Sequence, residues 1–172
     1  MPRTNVALVG FMGAGKSTVG RELAERLGKT FVETDTLAER RAGMSVSDVF
    51  ARFGEEHFRD LEAAVVQEAA QLRNCVIACG GGVVLREENV AALRASSVLV
   101  YLEVAPQSVL SRIGPQSAVR PLLSGPDRER RVAELMEQRR SAYEAAADVT
   151  VATDGVAVEQ VVRNVQELLT RL

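Results

Sequence analysis

The chain has few cysteines and few lysines, and each shortage excludes a class of protein. Only two of its 172 residues are cysteines, Cys75 and Cys79. A C-x-x-x-C spacing on one short apolar strand suits neither a zinc site nor a C-x-x-C redox pair, so we expect buried, reduced thiols. The two lysines are Lys16 and Lys29. Neither has an aspartate two residues later, which excludes the N/T-K-x-D segment that a Ras-type GTPase needs to recognise guanine.

The chain also lacks a large excess of charge of one sign, and it lacks long apolar runs. Lysine and arginine together number 21 against 23 acidic residues, a formal net charge of −2. A nucleic-acid or membrane-surface partner normally requires a basic excess, so we expect small-molecule partners, no nucleic acid and no membrane. No apolar run reaches the length of about 18 residues that spans a bilayer, and residues 1–4 do not resemble a signal peptide. We therefore expect a cytoplasmic monomer with one domain over residues 1–172.

The most specific motif is a phosphate-binding loop at residues 10–17. Its sequence, G-F-M-G-A-G-K-S, matches G-x-x-x-x-G-K-S/T and stands between an apolar run and a helical pattern. That setting favours a nucleotide triphosphate site over a glycine-rich turn without a ligand. The backbone can wrap a polyphosphate, Lys16 can reach its terminal phosphates and Ser17 can hold Mg²⁺. The residues assigned to the nucleotide are Gly13, Ala14, Gly15, Lys16, Ser17 and Thr18.

Apolar runs alternate with helical periodicity along the chain. The patterns predict strands at residues 6–9, 30–33, 76–79, 98–103 and 149–152. They predict helices at residues 16–27, 36–41, 46–51, 55–72, 87–95, 106–113, 126–146 and 156–169. Strands that lack polar alternation, each followed by a helix, are typical of a parallel sheet covered on both faces. The predicted fold class is therefore a three-layer α/β domain.

Carboxylates and glycines follow two of the predicted strands. The second strand ends in Glu33-Thr34-Asp35 and the third in Gly80-Gly81-Gly82. Because ligands gather at the carboxyl ends of parallel strands, we expect a metal-linked role for one carboxylate and a hydroxyl-orienting or base role for the other. An alternative for Asp35 is the N-cap of a helix beginning at Thr36. Three consecutive glycines indicate a backbone that presents its amides to a small ligand.

Four arginines are candidates for binding anions. Arg59 and Arg139 could clamp a carboxylate with two guanidinium groups, although each alone is more often a solvated surface residue. The irregular stretch at residues 114–126 is long for a compact domain and predicts a functional loop, in which Arg120 could close over the phosphates. Arg112 could stack on adenine or be a helix-surface charge. His57, the sole histidine, we expect to be structural or exposed.

Together these motifs resemble the shikimate kinase family over essentially the whole chain. The matching segments are residues 10–20, 33–35, 58–62, 80–82 and 119–123. The resemblance implies a P-loop fold like that of nucleoside monophosphate kinases, with a five-stranded parallel sheet in the order 2-3-1-4-5. It also implies a substrate-binding helical segment near residues 34–62 and a lid near residues 114–126.

The resemblance implies an activity as well, the ATP-dependent phosphorylation of shikimate at its 3-hydroxyl in the route to chorismate and the aromatic amino acids. Two alternatives stay open. One is a related kinase for another polyol acid such as gluconate, and the other is a non-catalytic ATP-binding paralogue. We would expect the paralogue to have lost Lys16, Asp35 or Arg120, and all three are present.

Site roles carry over from the family position by position. The catalytic residues implied are Lys16, Asp35 and Arg120. Shikimate would be bound by Asp35, Arg59, Gly80, Gly81, Gly82 and Arg139. The residues implied for ATP, beyond the loop assigned above, are Arg112, Arg120 and Asp154. Those implied for Mg²⁺ are Ser17 and Glu33.

Two positions depart from the family pattern. Glu33 stands where the family usually has aspartate, so the metal-linked carboxylate is longer by one methylene group. We expect it still to serve if it acts through a coordinated water. Ala78 and Cys79 occupy the strand end where a hydroxyl residue is common. We expect this second departure to weaken the coupling to Mg²⁺ modestly and to leave the reaction class unchanged.

Overall fold

Five parallel strands form one sheet in the computed structural model, which describes residues 2–113 and 126–172. In chain order the strands are β1 (Asn5–Val9), β2 (Thr30–Glu33), β3 (Cys75–Ala78), β4 (Ser97–Glu103) and β5 (Val149–Ala152). Their order across the sheet is β2-β3-β1-β4-β5. Val6 of β1 pairs with Val76 on one side and with Val98 on the other. The expected fold class and strand order are confirmed.

Helices cover the sheet and bury its central strands. They are α1 (Lys16–Leu27), α2 (Thr34–Ala42), α3 (Val46–Gln71), α4 (Glu87–Ser96), α5 (Pro106–Ile113), α6 (Arg128–Ala146) and α7 (Val158–Leu169), with a 3₁₀ turn at Val83–Leu85. Every residue of β1 and β3 is buried. Leu8, Ile77 and Leu99 are completely inaccessible to solvent, as expected for strands covered on both faces.

Local signals set most helix ends. Gly28 and Gly43 end α1 and α2 in left-handed conformations, with φ of 62° and 69°. Gly54 interrupts α3 with φ 84° and ψ 175°, so α3 consists of two helical parts, in agreement with the two helices predicted there. The Ser45 hydroxyl accepts a hydrogen bond of 3.0 Å from the Asp48 amide at the start of α3.

The start of α2 differs from the prediction. The helix begins at Thr34, two residues earlier than expected, because Glu33 keeps an extended backbone and β2 continues into α2 without a loop. Asp35 therefore lies in the first turn of the helix, and the N-cap interpretation of this residue is wrong.

The state of the two cysteines agrees with expectation. Cys75 and Cys79 are buried free thiols. Burial raises the pKa of the Cys79 thiol to about 12, so it stays protonated.

Across residues 2–113 and 126–172, the helices are too short or too polar to span a bilayer. The lid expected near residues 114–126 lies almost entirely outside the described residues, and so does the segment at 119–123 with Arg120.

Candidate active site

The phosphate-binding loop connects the end of β1 to the start of α1. Gly13 and Gly15 have φ of 80° and 89°, which a residue with a side chain rarely adopts. The loop thus places the first amides of α1 at the carboxyl edge of the sheet, where a helix N-terminus favours an anion. The ammonium group of Lys16 donates hydrogen bonds of 2.7 and 2.9 Å to the carbonyls of Gly10 and Phe11. These bonds hold Lys16 across the loop.

Ser17 and Glu33, the pair expected at the metal, are in direct contact. The Ser17 hydroxyl donates a hydrogen bond to Oε1 of Glu33. Thr36 donates to Oε2 of Glu33 at 3.2 Å, and a guanidinium nitrogen of Arg21 lies 3.7 Å from the same oxygen. The longer side chain of glutamate thus reaches the phosphate loop from the end of β2.

One cavity joins the phosphate loop to the ends of β2 and β3. Its volume is about 180 Å³, and its lining includes Lys16, Ser17, Glu33, Asp35 and Gly80. All five were predicted as site residues, from three separate motifs: the phosphate loop, the segment after β2 and the three glycines after β3. The fold therefore brings a phosphate-binding loop, two carboxylates and the first residue of the glycine turn (Gly80–Gly82) into one space.

Arg59 is buried, contrary to the interpretation as a solvated surface residue. It is 8% exposed, and its guanidinium donates a hydrogen bond of 2.8 Å to Glu62, which is 2% exposed. A second bond of 3.3 Å reaches Glu55. Burial raises the pKa of the Glu62 carboxyl against the opposing effect of Arg59, and the nearby Asp35 raises it further. The ion pair is what allows the arginine to stay inside the protein.

Arg139 is the second buried arginine at this edge of the sheet. It projects from α6, is 3% exposed and lies 5.9 Å from the centre of the Phe11 ring. A Cβ atom built on Gly81 would stand 3.8 Å from Nη1 of Arg139, so the guanidinium lies beside the glycine turn. The solvated interpretation is wrong for this arginine as well.

The glycine turn passes between these charged groups with no room for side chains at two of its positions. A Cβ atom on Gly80 would come within 2.9 Å of Oδ1 of Asp35, and one on Gly82 would overlap the Arg59 guanidinium. The Gly80 amide donates a hydrogen bond of 2.9 Å to the Thr34 hydroxyl. Among the described residues, no partner is found for the amides of Gly81 and Gly82. The expected close approach of the backbone is thus present.

Gly82→Ala provides a test of this close packing. Gly82 has φ −99° and ψ 5°, which alanine can adopt, so the substitution acts through the new methyl group alone. That group displaces the Arg59 guanidinium and leaves the buried Glu62 carboxylate without its hydrogen-bond donor. We expect the free energy of unfolding to fall by about 1–3 kcal/mol, measured by urea denaturation.

Gly81→Ala is the matched control for this measurement. A Cβ atom there meets its nearest neighbour, the Met12 amide, at 3.4 Å, which is ordinary contact. Equal stability of the two alanine variants would contradict the described position of Arg59.

Arg112 and Asp154, both predicted at the adenine, make different kinds of contact. Arg112 donates to the Gly13 carbonyl at 3.1 Å and to the Thr153 carbonyl at 3.1 Å, so it joins the phosphate loop to the turn after β5. The Asp154 carboxylate accepts from the Ala105 amide at 3.0 Å, at the start of α5. Partial burial opposes ionisation of Asp154, but hydrogen bonds from Ser108 and Ala105 outweigh it and lower its pKa.

The single histidine of the chain is exposed, as expected. His57 lies on the outer face of α3 with its ring 4.8 Å from that of Phe53.

Three residues at the site were given no role by the sequence reasoning. They are Thr34, Glu62 and Tyr143, whose hydroxyl donates a hydrogen bond to the Gly81 carbonyl. Glu62 follows Arg59 by three residues and Tyr143 follows Arg139 by four. On a helix both spacings place the two side chains on one face, and this is the signal that could have identified them.

Comparison with known proteins identifies one family. A family model described as "SKI: Shikimate kinase" matches residues 12–170. A shikimate kinase from Symbiobacterium thermophilum is 49% identical over 166 residues, covering 96% of this chain and 95% of that protein. The solved structure of a shikimate kinase from Acinetobacter baumannii in complex with shikimate has a TM-score of 0.94 and 33% identity. The match covers 98% of this chain and 93% of that one.

A structure of a gluconokinase from Sinorhizobium meliloti 1021 is also similar, but more distantly. Its TM-score is 0.63 at 20% identity, with 99% of this chain and 94% of that chain covered. This similarity shows a common fold and nothing about the acceptor.

Proposed function

The chain belongs to the shikimate kinase family, and we propose that its residues divide the recognition of shikimate and ATP between two sides of one cavity. The enzyme transfers a phosphoryl group from ATP to shikimate. We therefore reject the two alternatives, gluconate phosphorylation and a non-catalytic role. The acceptor side consists of the glycine turn, Arg59, Arg139 and Asp35. The nucleotide side is the phosphate loop.

One observation carries the proposal, the convergence of two buried guanidinium groups on the glycine turn. Arg59 lies against Gly82 and Arg139 against Gly81, at 8% and 3% exposure. Arginine is costly to bury, and its planar fork matches a carboxylate with two parallel hydrogen bonds. Nε of Arg59 is a buried donor with no partner among the described residues. We assign both arginines and the backbone of the turn, where the Gly81 and Gly82 amides have no partner among the described residues, to the shikimate carboxylate and ring face.

Asp35 is proposed to orient and deprotonate the acceptor hydroxyl. Its carboxylate lines the cavity next to Lys16 and Ser17, and Oδ1 lies close against Gly80. A carboxylate between the acceptor side and the phosphate loop can accept the proton that the hydroxyl loses when its oxygen attacks phosphorus. We assign the attack to the 3-hydroxyl of shikimate.

The nucleotide side acts by position and charge. We propose that Lys16 contacts the terminal phosphates of ATP and that the amides of Gly13 to Thr18 surround them. Arg120 is proposed to add positive charge from a lid formed by residues 114–126, which lie almost entirely outside the described part of the chain. Arg112 and the turn containing Asp154 are proposed to flank the adenine, since the bonds from Arg112 to Gly13 and Thr153 fix both beside the loop.

Mg²⁺ is the metal that we propose for this cavity, and the residues fit it. The Ser17 hydroxyl and the Glu33 carboxylate are hard oxygen donors in contact with each other, which is the ligand type that Mg²⁺ prefers. When bound, the ion supplies positive charge against the β- and γ-phosphates. We assign Ser17 as a direct ligand and Glu33 as a partner acting through a coordinated water.

Glu33→Gln tests this assignment without relying on turnover. Removing the negative charge is expected to weaken the binding of Mn²⁺, used as a paramagnetic substitute in the presence of ADP, by about tenfold, a loss near 1.4 kcal/mol. Electron paramagnetic resonance of free Mn²⁺ measures the affinity. The control is Glu22→Gln, the same change in a surface pair with Arg26. Wild-type affinity in Glu33→Gln would remove Glu33 from the metal site.

We also propose a domain organisation, an oligomeric state and a location for the protein. All the described site residues come from one polypeptide, which supports a single catalytic domain over residues 1–172 working as a monomer. We propose a substrate-binding segment near residues 34–62, which contains Asp35 and Arg59. A cytoplasmic location is proposed because the reaction consumes ATP. Sedimentation equilibrium would test the monomer.

The product identifies the proposed acceptor hydroxyl. The experiment incubates the protein with MgATP and shikimate and records ³¹P and ¹H nuclear magnetic resonance spectra of the product. Coupling of phosphorus to the proton on carbon 3 is the expected result. Phosphorylation at another hydroxyl would refute the proposed orientation of shikimate between Asp35 and the two arginines.

A further inference from the structure

A buried phenol contacts both the glycine turn and one of the arginines proposed for the acceptor. Tyr143 lies on α6 and is 1% exposed. Its hydroxyl donates a hydrogen bond to the carbonyl of Gly81. Its ring stacks on Tyr101, with ring centres 5.1 Å apart and planes 19° from parallel. The stacked ring directs the hydroxyl at the glycine turn.

Arg139, which precedes Tyr143 by four residues on α6, lies beside the same glycine, with Nη1 3.8 Å from a Cβ atom built on Gly81. Burial raises the pKa of Tyr143 to about 12, although a side-chain hydrogen bond and the charge of Arg139 act in the opposite direction. The phenol therefore stays protonated at neutral pH and can donate to Gly81 while it accepts from Arg139.

Peptide geometry shows why a bond to the Gly81 carbonyl bears on ligand binding. The peptide group that contains this carbonyl also contains the amide of Gly82, and in a trans peptide the C=O and N–H bonds point in opposite directions. A glycine on each side gives that peptide plane little resistance to rotation. Fixing the Gly81 carbonyl therefore fixes the direction of the Gly82 N–H.

We propose that Tyr143 is a positioning residue for carboxylate recognition, orienting the Gly81–Gly82 peptide and the Arg139 guanidinium at once. The proposal rests on the proposed function, since it gives those groups their ligand. Tyr143 does not need to touch shikimate. Its hydroxyl holds two donors in a fixed relation, so that their bonds to the carboxylate form without a further loss of conformational freedom.

Tyr143→Phe removes the hydroxyl and keeps the ring. We expect the dissociation constant for shikimate, measured by isothermal titration calorimetry, to rise about tenfold. That loss corresponds to about 1.4 kcal/mol, within the range for an ordinary intramolecular hydrogen bond. The dissociation constant for ATP and the turnover number at saturating shikimate should stay within about twofold of wild type. A purely structural role would instead weaken both ligands or neither.

Tyr101→Phe is the matched control, because it removes the same group from the other ring of the stack. We expect it to bind shikimate as the wild type does. Unchanged shikimate affinity in Tyr143→Phe, or an equal loss in Tyr101→Phe, would overturn the inference. Failure of the wild type to bind shikimate would instead refute the proposed function, so the two failures are distinguishable.

A double-mutant cycle tests the coupling to Arg139. Arg139→Gln alone should weaken shikimate binding, and adding Tyr143→Phe to it should cost less than Tyr143→Phe costs in the wild type. Additive losses would show that the phenol does not act through Arg139 and would overturn that part of the inference. Melting temperatures of all four proteins confirm that each one is folded.

Discussion

Asp35→Asn is expected to fold normally and to lower the turnover number at least about a hundredfold, the range for loss of a positioned base. The amide keeps the size of the carboxylate and its place in the first turn of α2. It cannot take the proton from the acceptor hydroxyl, and it removes the negative charge that orients that hydroxyl. Turnover is measured as the rate of ADP release with saturating MgATP and shikimate.

Binding measurements separate this effect from damage to the fold. The affinity of Asp35→Asn for ATP should match that of the wild type. Asp60→Asn makes the same change on the outer face of α3, where Asp60 pairs with Arg86, and should leave turnover intact. Retention of turnover by Asp35→Asn would exclude Asp35 from the catalytic residues.

Arg59→Ala is expected to raise the dissociation constant for shikimate about a hundredfold, near 2.7 kcal/mol, and to leave that for ATP within about twofold. The arginine lies against Gly82 on the acceptor side and makes its described ion pairs with Glu55 and Glu62. The substitution removes a buried cation that we assign to the shikimate carboxylate, whereas the phosphate loop keeps its geometry. Calorimetric titration of each ligand measures both constants.

The same variant makes a prediction about pH, because it leaves Glu62 buried without its cation. Burial already raises the pKa of Glu62, and loss of Arg59 removes the main opposing effect. Below the ordinary pKa, near 4.5, Glu62 is protonated in the folded and unfolded states and costs nothing. As the pH rises, the unfolded chain releases this proton more readily than the folded protein. The deficit in unfolding free energy relative to the wild type should therefore be larger at pH 8 than at pH 5.

A control on the same helix completes the experiment. Arg52→Ala removes an exposed arginine from the first part of α3 and should change neither shikimate affinity nor the pH dependence of stability. Loss of ATP affinity with intact shikimate affinity in Arg59→Ala would overturn its assignment to the acceptor side.

The fold and the candidate cavity could be predicted because local signals decide them. The phosphate loop, the glycines that end helices and the unbroken apolar strands each specify structure within a few residues. Parallel pairing then requires the carboxyl ends of β2 and β3 to lie beside the loop. This is why Glu33, Asp35 and Gly80 could be placed at one edge before any contact was known.

The burial of the arginines depends on packing between segments that are distant in the chain. The same is true of the hydrogen bonds that Thr34 and Tyr143 make to the glycine turn. Whether Arg59 is solvated is decided by the glycine turn, more than twenty residues later in the chain, and by its pairing with Glu62. Thr34 and Tyr143 act on backbone atoms of that turn. The helical spacing from Arg139 points to Tyr143, but a backbone partner leaves no pattern in the sequence that would identify Thr34. Asp35 was open to an N-cap interpretation because nothing in the residues shows that β2 passes into α2 without a loop.

The rate of ADP release with MgATP is the measurement that tests the central claim most directly. It compares shikimate with gluconate, nucleoside monophosphates and no acceptor, using the purified protein. We predict a rate that appears with shikimate alone, because both arginines require a carboxylate and the cavity beside Asp35 must match the ring hydroxyls. A rate with gluconate or a nucleoside monophosphate, or no acceptor-dependent rate from a folded protein that binds ATP, would contradict the account.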